Sequence, residues 1–232
     1  WLDSMVKSMK NKIAEIINQQ ESFFFENNFY LHSDPSRLKK LIVHYELYKK
    51  IKKIKGAVLE CGVYKGSSFI QWATFRLIDD KYHNRSIIGF DTFNKFPETN
   101  FLPDKIHRKK FISEAGNKSL SVKKLKKIFD KKKFKNIKLV EGDILKTVPK
   151  FVIKNPNLKI ALLHIDVDIY EPTKVILENL FKKVVKGGII IFDDFNVFPG
   201  ETKAVKDFLK GKKYKLKKLS YSKLKPYYII KK

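Results

Sequence analysis

Apolar residues recur along this chain in two periods, and the change falls near residue 56. Before it, Ile13, Ile16 and Ile17 make one amphipathic stripe. Leu38, Leu41, Ile42, Tyr45, Tyr48 and Ile51 make a second, at helical spacing. Ser33 and Asp34 ahead of Pro35 supply a capped start for that second helix. Between the stripes lie Phe23, Phe24, Phe25, Phe29 and Tyr30. An aromatic run of this kind is either packing or the wall of a substrate pocket.

From Ala57 onward the pattern becomes strand, turn, helix, repeated. Strands are expected at 57–61, 86–90, 137–140, 159–165 and 188–192, and helices at 67–77, 122–129, 173–185 and 204–209. Alternation of this kind predicts an α/β fold with a parallel sheet covered on both faces. Two further alternating segments, 214–219 and 226–230, predict an antiparallel hairpin at the sheet edge. The expected organisation is an N-terminal helical extension over 1–55 and one α/β domain over 56–232. Residues 92–121 have weak periodicity, contain Pro97, Pro103 and Gly116, and exceed ordinary loop length, so they read as a lid.

In open parallel sheets, ligands bind outside the carboxyl ends of the strands. An acid stands at or just past the end of every expected parallel strand: Glu60, Asp91, Asp143, Asp166, and Asp193 with Asp194. One such acid is usually a solvated strand end. Five in register on one rim, in a chain poor in acids, point to a site.

The turn after the first strand reads Glu60-Cys61-Gly62-Val63-Tyr64-Lys65-Gly66-Ser67-Ser68. Its glycines allow close backbone approach, and the following helix start offers free N–H groups. The order Lys65-Gly66-Ser67 is wrong for a P-loop, and Gly62 and Gly66 lack the third glycine of a dinucleotide fingerprint. Asp91 stands where nucleotide-binding α/β folds hold ribose hydroxyls. Asp143 follows Gly142, either as a turn residue or as an acceptor for an adenine amino group. Asp166, Asp193 and Asp194 can converge across one strand spacing, and hard carboxylate ligands suit Mg²⁺ or Ca²⁺ rather than zinc. Asp168, close before Pro172, reads as a helix cap. His164 is either an auxiliary base or a satisfied core residue. Cys61, within a strand, reads as packing.

Composition narrows the field. Hydrophobic residues make up 43% and charged residues 32% of 232, a globular balance for one domain with an appendage. No apolar run nears the ~20 residues needed to span a bilayer, so no membrane insertion is expected. Residues 5–21 lack an apolar h-region and do not read as a secretory signal. With a single cysteine, neither a disulfide framework nor a thiolate zinc site is expected, and the simplest compartment is the cytoplasm. Residue 1 is Trp, which reads as a fragment with an unseen start. The net charge of +26 suggests a polyanion partner. Only Arg37, Arg76, Arg85 and Arg108 are arginines, however, and the lysines are spread evenly. That favours solvated helix faces over a nucleic-acid stripe, while still suiting an anionic acceptor such as a nucleotide-linked sugar.

Six segments together carry a resemblance: ECGVYKGSS at 60–68, GFDTFNKFP at 89–97, VEGDILKTVP at 140–149, HIDVDIYEPT at 164–173, GGIIIFDDF at 187–195 and PGETKAVKDF at 199–208. In this order and at these strand ends, the chain resembles class I S-adenosylmethionine-dependent methyltransferases, and most closely the macrocin O-methyltransferase family of metal-dependent sugar O-methyltransferases. The resemblance implies a Rossmann-like, seven-stranded, mostly parallel sheet with helices on both faces and a C-terminal antiparallel hairpin. It implies that Glu60, Gly62, Val63, Tyr64 and Ser68 hold the methionine portion of the cofactor. Asp91, Thr92 and Phe93 would hold the ribose and adenine side, and Asp143 the adenine. Asp166, Asp193 and Asp194 would bind Mg²⁺, with Asp166 also the general base. It further implies acceptor contacts from the N-terminal helices and the lid, and a homo-oligomer. Catechol-type relatives carry a Lys base where this chain has Ile169, which favours the sugar branch. Two rival readings are a nucleic-acid (RNA) methyltransferase and a non-catalytic methyltransferase-like binding protein. The first lacks an Asn/Asp-Pro-Pro-Tyr/Phe motif after the fourth strand, and the intact acidic set weighs against the second.

Overall fold

A computed structural model describes residues 20–80, 84–222 and 226–232. The expected stripe at Ile13, Ile16 and Ile17 lies outside the described residues. Two compact units are distinguished, Trp1–Lys40 and Leu41–Lys232. In the first, residues 20–32 are helical, and Phe23, Phe24, Phe25, Phe29 and Tyr30 are exposed.

The elements run α1 (Pro35–Ile51), β1 (Ala57–Cys61), α2 (Ser67–Asp79), β2 (Ile87–Asp91), α3 (Leu102–Ala115), α4 (Val122–Lys131), β3 (Ile137–Glu141), α5 (Ile144–Lys154), β4 (Ile160–Ile165), α6 (Tyr170–Leu180), a 3₁₀ turn (Phe181–Lys183), β5 (Val184–Phe192), α7 (Pro199–Leu209) and β6 (Tyr227–Ile230). The sheet order is β3-β2-β1-β4-β5-β6. All neighbouring pairs are parallel except β5 with β6. The chain order reverses between β1 and β4, so the crevice for a ligand opens at their carboxyl ends.

Every residue of β1, β2 and β4 is buried, because helices cover both faces of these central strands. Leu59, Cys61, Phe90, Leu163 and Ile165 pack on one face with Val148, Ile176 and Leu177. Val58, Ile87 and Leu162 pack on the other with Leu47, Phe69, Trp72 and Leu125. A buried polar cluster closes the far end of the strands. Arg85 donates to Asp80 (2.7 Å) and to the carbonyls of Ile54 (2.8 Å) and Gly56 (2.6 Å), and Tyr48 donates to Asp80 (2.6 Å). Arg76 donates to the Arg85 carbonyl (2.5 Å), and Arg108 to the carbonyls of Phe96 and Pro97. Three of the arginines therefore tie backbone together rather than forming a surface stripe.

One expectation is corrected. The sheet has six strands among the described residues, not seven. Residues 214–219 meet β6 only at the Lys217–Tyr228 bridge, through two hydrogen bonds of 2.8 Å. That segment is Lys-rich and lies beyond the sheet's last strand, where a single bridge satisfies little backbone. β6 instead pairs along its length with β5, from Ile189↔Ile230 to Phe192↔Tyr227. Within the segment expected as a lid, Leu102–Ala115 form the fourteen-residue helix α3. No helix among the described residues is long and apolar enough to cross a membrane.

Candidate active site

The carboxyl rim of the sheet divides into two halves. On the first, the turn after β1 packs on the end of β4. The Asp166 amide donates to the Cys61 carbonyl (2.9 Å), and a Cβ at Gly62, where φ is 92°, would overlap the Asp166 carbonyl oxygen. The close approach that Gly62 permits is thus to backbone. Gly66, also left-handed at φ 82°, caps the start of α2. Asp91 gathers this half together. It accepts from the amides of Val63 (2.8 Å), Tyr64 (2.9 Å) and Phe93 (2.6 Å) and from the Ser119 hydroxyl (2.9 Å). Thr92 donates to the Lys95 carbonyl (2.9 Å), while Phe93 is buried. Asp143 is exposed and caps α5, accepting from the Leu145 amide (2.9 Å).

Non-glycine residues with positive φ follow the ends of β1, β2, β4 and β5: Tyr64 (50°), Phe93 (49°), Asp168 (64°) and Asn196 (68°). Each costs backbone energy, and such outliers persist where the surroundings fix a functional geometry.

Glu60 and His164 are the polar residues of two otherwise apolar strands, and they stand opposite each other in the β1–β4 ladder. Burial of either alone would be costly, so each needs a partner. Glu60 accepts from Ser68 (2.9 Å), from the Trp72 indole (2.5 Å) and from His164 Nδ1 (3.2 Å). The other ring nitrogen of His164 lies 3.3 Å from Asp193 Oδ1 and 4.0 Å from Asp166 Oδ2. Burial alone would lower the pKa of His164. Hydrogen bonds to Asp193 and Glu60 outweigh that and raise it to about 10. Cys61 is buried, and burial pushes its thiol up, as suits a packing residue.

On the second half, Asp166, Asp193 and Asp194 each offer a carboxylate oxygen, all within 4.8 Å of one another. Asp193 and Asp194 are buried, and the Asp166 side chain keeps 21% exposure. Two more acids close in. Asp168 does not cap a helix as expected: α6 begins at Tyr170 with Ile169 at its cap, and Asp168 is buried. Burial and the neighbouring charges of Asp194 and Asp166 raise its pKa well above the usual range. Glu201, in the first turn of α7, is fully buried and accepts from the Asp194 amide (3.0 Å), while its other oxygen finds no hydrogen-bond partner among the described residues. Burial and the charges of Asp194 and Asp193 raise it likewise. Sequence reading passed over Glu201, although it lay in a quoted segment seven residues past Asp194.

Residues 99–116 span the two halves. Asp104, at the start of α3, accepts from the amides of Tyr170 (2.9 Å) and Gly200 (2.7 Å), the first turns of α6 and α7. Glu171 accepts from Thr99 (2.8 Å) and from the amides of Asn100 (2.7 Å) and Phe101 (3.1 Å). At the other end of α3, the Tyr64 hydroxyl donates to the carbonyls of Ala115 and Gly116. A pocket of about 410 Å³ opens just past Asp194, lined by Asn196, Phe198, Thr202, Lys203 and Lys206 among others.

Comparison with known proteins bears on this rim. The profile of the Macrocin-O-methyltransferase (TylF) family matches residues 35–219, well over half the chain. The chain belongs to the macrocin O-methyltransferase family. A curated relative, the 8-demethyl-8-(2,3-dimethoxy-alpha-L-rhamnosyl)-tetracenomycin-C 4'-O-methyltransferase of Streptomyces olivaceus, is 26% identical over 148 residues, covering 62% of this chain. The match spans about half, 54%, of that relative's length. Among solved structures, the calicheamicin methyltransferase CalS11 aligns at a TM-score of 0.75 with 30% identity, over 88% of this chain and 83% of its own. An apo structure of CalS11, described as a TDP-rhamnose 3'-O-methyltransferase, gives 0.69 and 28% over 88% and 84%. The O-methyltransferase NovP shares the fold, at 0.68 and 20% over 83% and 79%.

A macrocin O-methyltransferase fold supports S-adenosylmethionine as methyl donor. That cofactor carries an ammonium, ribose hydroxyls and an adenine amino group; Asp91 ends β2 and Asp143 follows β3, while Glu60 in β1 is fully buried and already accepts from Ser68, Trp72 and His164. The trio on β4 and β5 offers only hard oxygen donors, which fit Mg²⁺, Mn²⁺ or Ca²⁺.

Proposed function

We propose that this chain transfers a methyl group from S-adenosylmethionine to a sugar hydroxyl, with a divalent cation held by Asp166, Asp193 and Asp194. The observation that carries this reading is the convergence of those three carboxylates on the rim that also bears the Gly62 turn and Asp91. When bound, the cofactor supplies an electrophilic methyl group and the cation supplies Lewis acidity toward the acceptor oxygen.

The chain's own residues do the rest. Gly62, Val63 and Tyr64 form the turn at the methionine end. Glu60 serves that end by fixing Ser68, since its carboxylate is already hydrogen-bonded within the core. Asp91 orders the turn through two amides and offers the ribose side its carboxylate, with Thr92 and Phe93 beside it. Asp143 is exposed at the adenine side. Asp166, the most exposed of the trio, takes the acceptor's proton as the oxygen–methyl bond forms and the sulfur–methyl bond breaks. The pocket that follows β5 is the acceptor's place; Lys203 on its wall is paired with Asp207 (2.8 Å), and Lys206 suits an anionic portion of a nucleotide-linked sugar.

The test is transfer of labelled methyl from S-adenosylmethionine to a panel of rhamnosides and nucleotide-linked deoxysugars, with Mg²⁺ or with EDTA. The reading expects a monomethylated sugar with Mg²⁺ and none with EDTA. Turnover unaffected by EDTA would remove the cation from the account, and methylation of RNA but of no sugar would remove the acceptor.

A further inference from the structure

The cation reading gives no role to two buried imidazoles beneath Asp193, His164 and His44, nor to the contact of His164 with Glu60. Trp72 and Ser68 donate to Glu60, Glu60 accepts from His164 Nδ1, and His164 Nε2 faces Asp193 Oδ1 at 3.3 Å. His44, from α1, reaches the same oxygen from a second side. Its Nε2 is 3.6 Å from Asp193 Oδ1, and its Nδ1 is held by the Gln71 amide oxygen at 2.8 Å. The two imidazoles meet edge to face, with centroids 5.1 Å apart, and both rings pack on Trp72. His44, Glu60 and His164 are fully buried.

Several features separate this from incidental core packing. A polar pair placed opposite each other in the central strands has a plain apolar alternative that would cost no desolvation. Each imidazole has one nitrogen fixed by an acceptor that sets its ring orientation, and each turns the other nitrogen toward Asp193 Oδ1, with Asp166 Oδ2 farther off at 4.0 Å from His164. The Asp193 carboxylate they share is one assigned to the cation. Residues behind a metal ligand set its orientation in this way.

We propose that Glu60, His164 and His44 are positioning residues that lock the Asp193 carboxylate for the cation. This rests on the cation reading above. His164 is the link in contact with Asp193, and Glu60 acts through it. The consequence is a definite pattern of coupling. Removing the imidazole loosens Asp193. Removing Glu60 loosens the imidazole, and has no further effect once the imidazole is gone.

Mn²⁺ binding by the full chain tests this, with free Mn²⁺ read by electron paramagnetic resonance. The His164→Gln variant is expected to bind Mn²⁺ about 10–100-fold more weakly than wild type. Its melting profile should stay cooperative, and its affinity for S-adenosylmethionine should stay within about threefold of wild type, a change below a single lost hydrogen bond. Glu60→Gln should weaken Mn²⁺ less than His164→Gln does, and the double variant should bind no more weakly than His164→Gln alone. His44→Gln gives an independent arm if either of the others fails to fold, and should also weaken Mn²⁺. Equal Mn²⁺ affinity in wild type and these variants, with binding abolished by Asp166→Asn, would overturn the positioning role and leave the cation reading standing. No Mn²⁺ bound by wild type would overturn both.

Discussion

The two halves of the rim handle carboxylates in opposite ways. On the β1–β2 side, Asp91 is surrounded by donors from its own chain, three amides and a hydroxyl. On the β4–β5 side, Asp166, Asp168, Asp193, Asp194 and Glu201 crowd together, and Asp168 and Glu201 are driven toward their protonated forms by burial and by their neighbours. A carboxylate held in place by its own backbone builds the frame of a site. A crowd of carboxyls that repel one another is completed by an added cation. Under the proposed function, the first half is organised without its ligand, and the second is organised for a cation.

The sharpest way to break this comparison is Asp166→Asn. As the proposed base and ligand, its loss should cost methyl transfer on the order of 10²–10⁴-fold, while calorimetry finds S-adenosylmethionine affinity unchanged. Parallel loss of cofactor affinity would show that the halves are not separable. Next is Asp91→Ala, which removes a charged acceptor from the turn and from the ribose side. Cofactor binding should weaken about tenfold to a hundredfold, as for a charged hydrogen bond worth about 1.5–3 kcal/mol. Mn²⁺ affinity should stay as it was.

The third prediction concerns the segment that joins the halves. A Cβ at Gly200 would overlap Asp104 Oδ2 and the Tyr170 amide. Gly200→Ala should therefore destabilise the fold by about 1–3 kcal/mol, the usual range for overpacking, measured by urea unfolding. It should also expose the chain near residues 99–104 to limited proteolysis. An unchanged midpoint would mean that Asp104 does not latch this segment.

The most gradual effect is a slope with pH. The carboxyls of Glu201 and Asp168 have folded pKa values raised above 4.5 and 3.8, and His164 titrates near 10 rather than 6.5. In each case the folded state binds more protons than the unfolded state once pH exceeds the unfolded value. Metal-free protein should therefore lose stability as pH rises, first through the carboxyls and then, between 6.5 and about 10, through His164. The slope is about 1.4 kcal/mol per pH unit for each proton retained. Urea unfolding in EDTA at a series of pH values measures it. Mg²⁺ should reduce the slope above pH 6, and Glu201→Gln should flatten part of it. A stability that rises with pH in EDTA would contradict the crowding.

Much of this was legible in the residues. The strand ends announced themselves because apolar runs stop at acids, and burial on both faces forces such runs in β1, β2 and β4. The acid trio was readable for the same reason. Helix α5 was hidden by Pro149 inside it, and α3 by a polar sequence whose main buried residue is Asp104, a latch rather than a core position. Asp168 looked like a cap because Pro172 follows closely, whereas its backbone is left-handed at φ 64° and the residue is buried. Glu201 had no signal of its own, since an acid in the first turn of a helix is ordinary. The seventh strand was expected from alternation in residues 214–219, but alternation does not supply a pairing partner.

The most direct measurement is calorimetric titration of the full chain with S-adenosylmethionine, with and without Mg²⁺, on wild type and on Asp91→Ala. The account predicts binding by wild type that Asp91→Ala weakens at least tenfold, and a separate Mg²⁺ titration that Asp91→Ala leaves intact. Failure of well-folded wild type to bind S-adenosylmethionine would contradict the account at its centre.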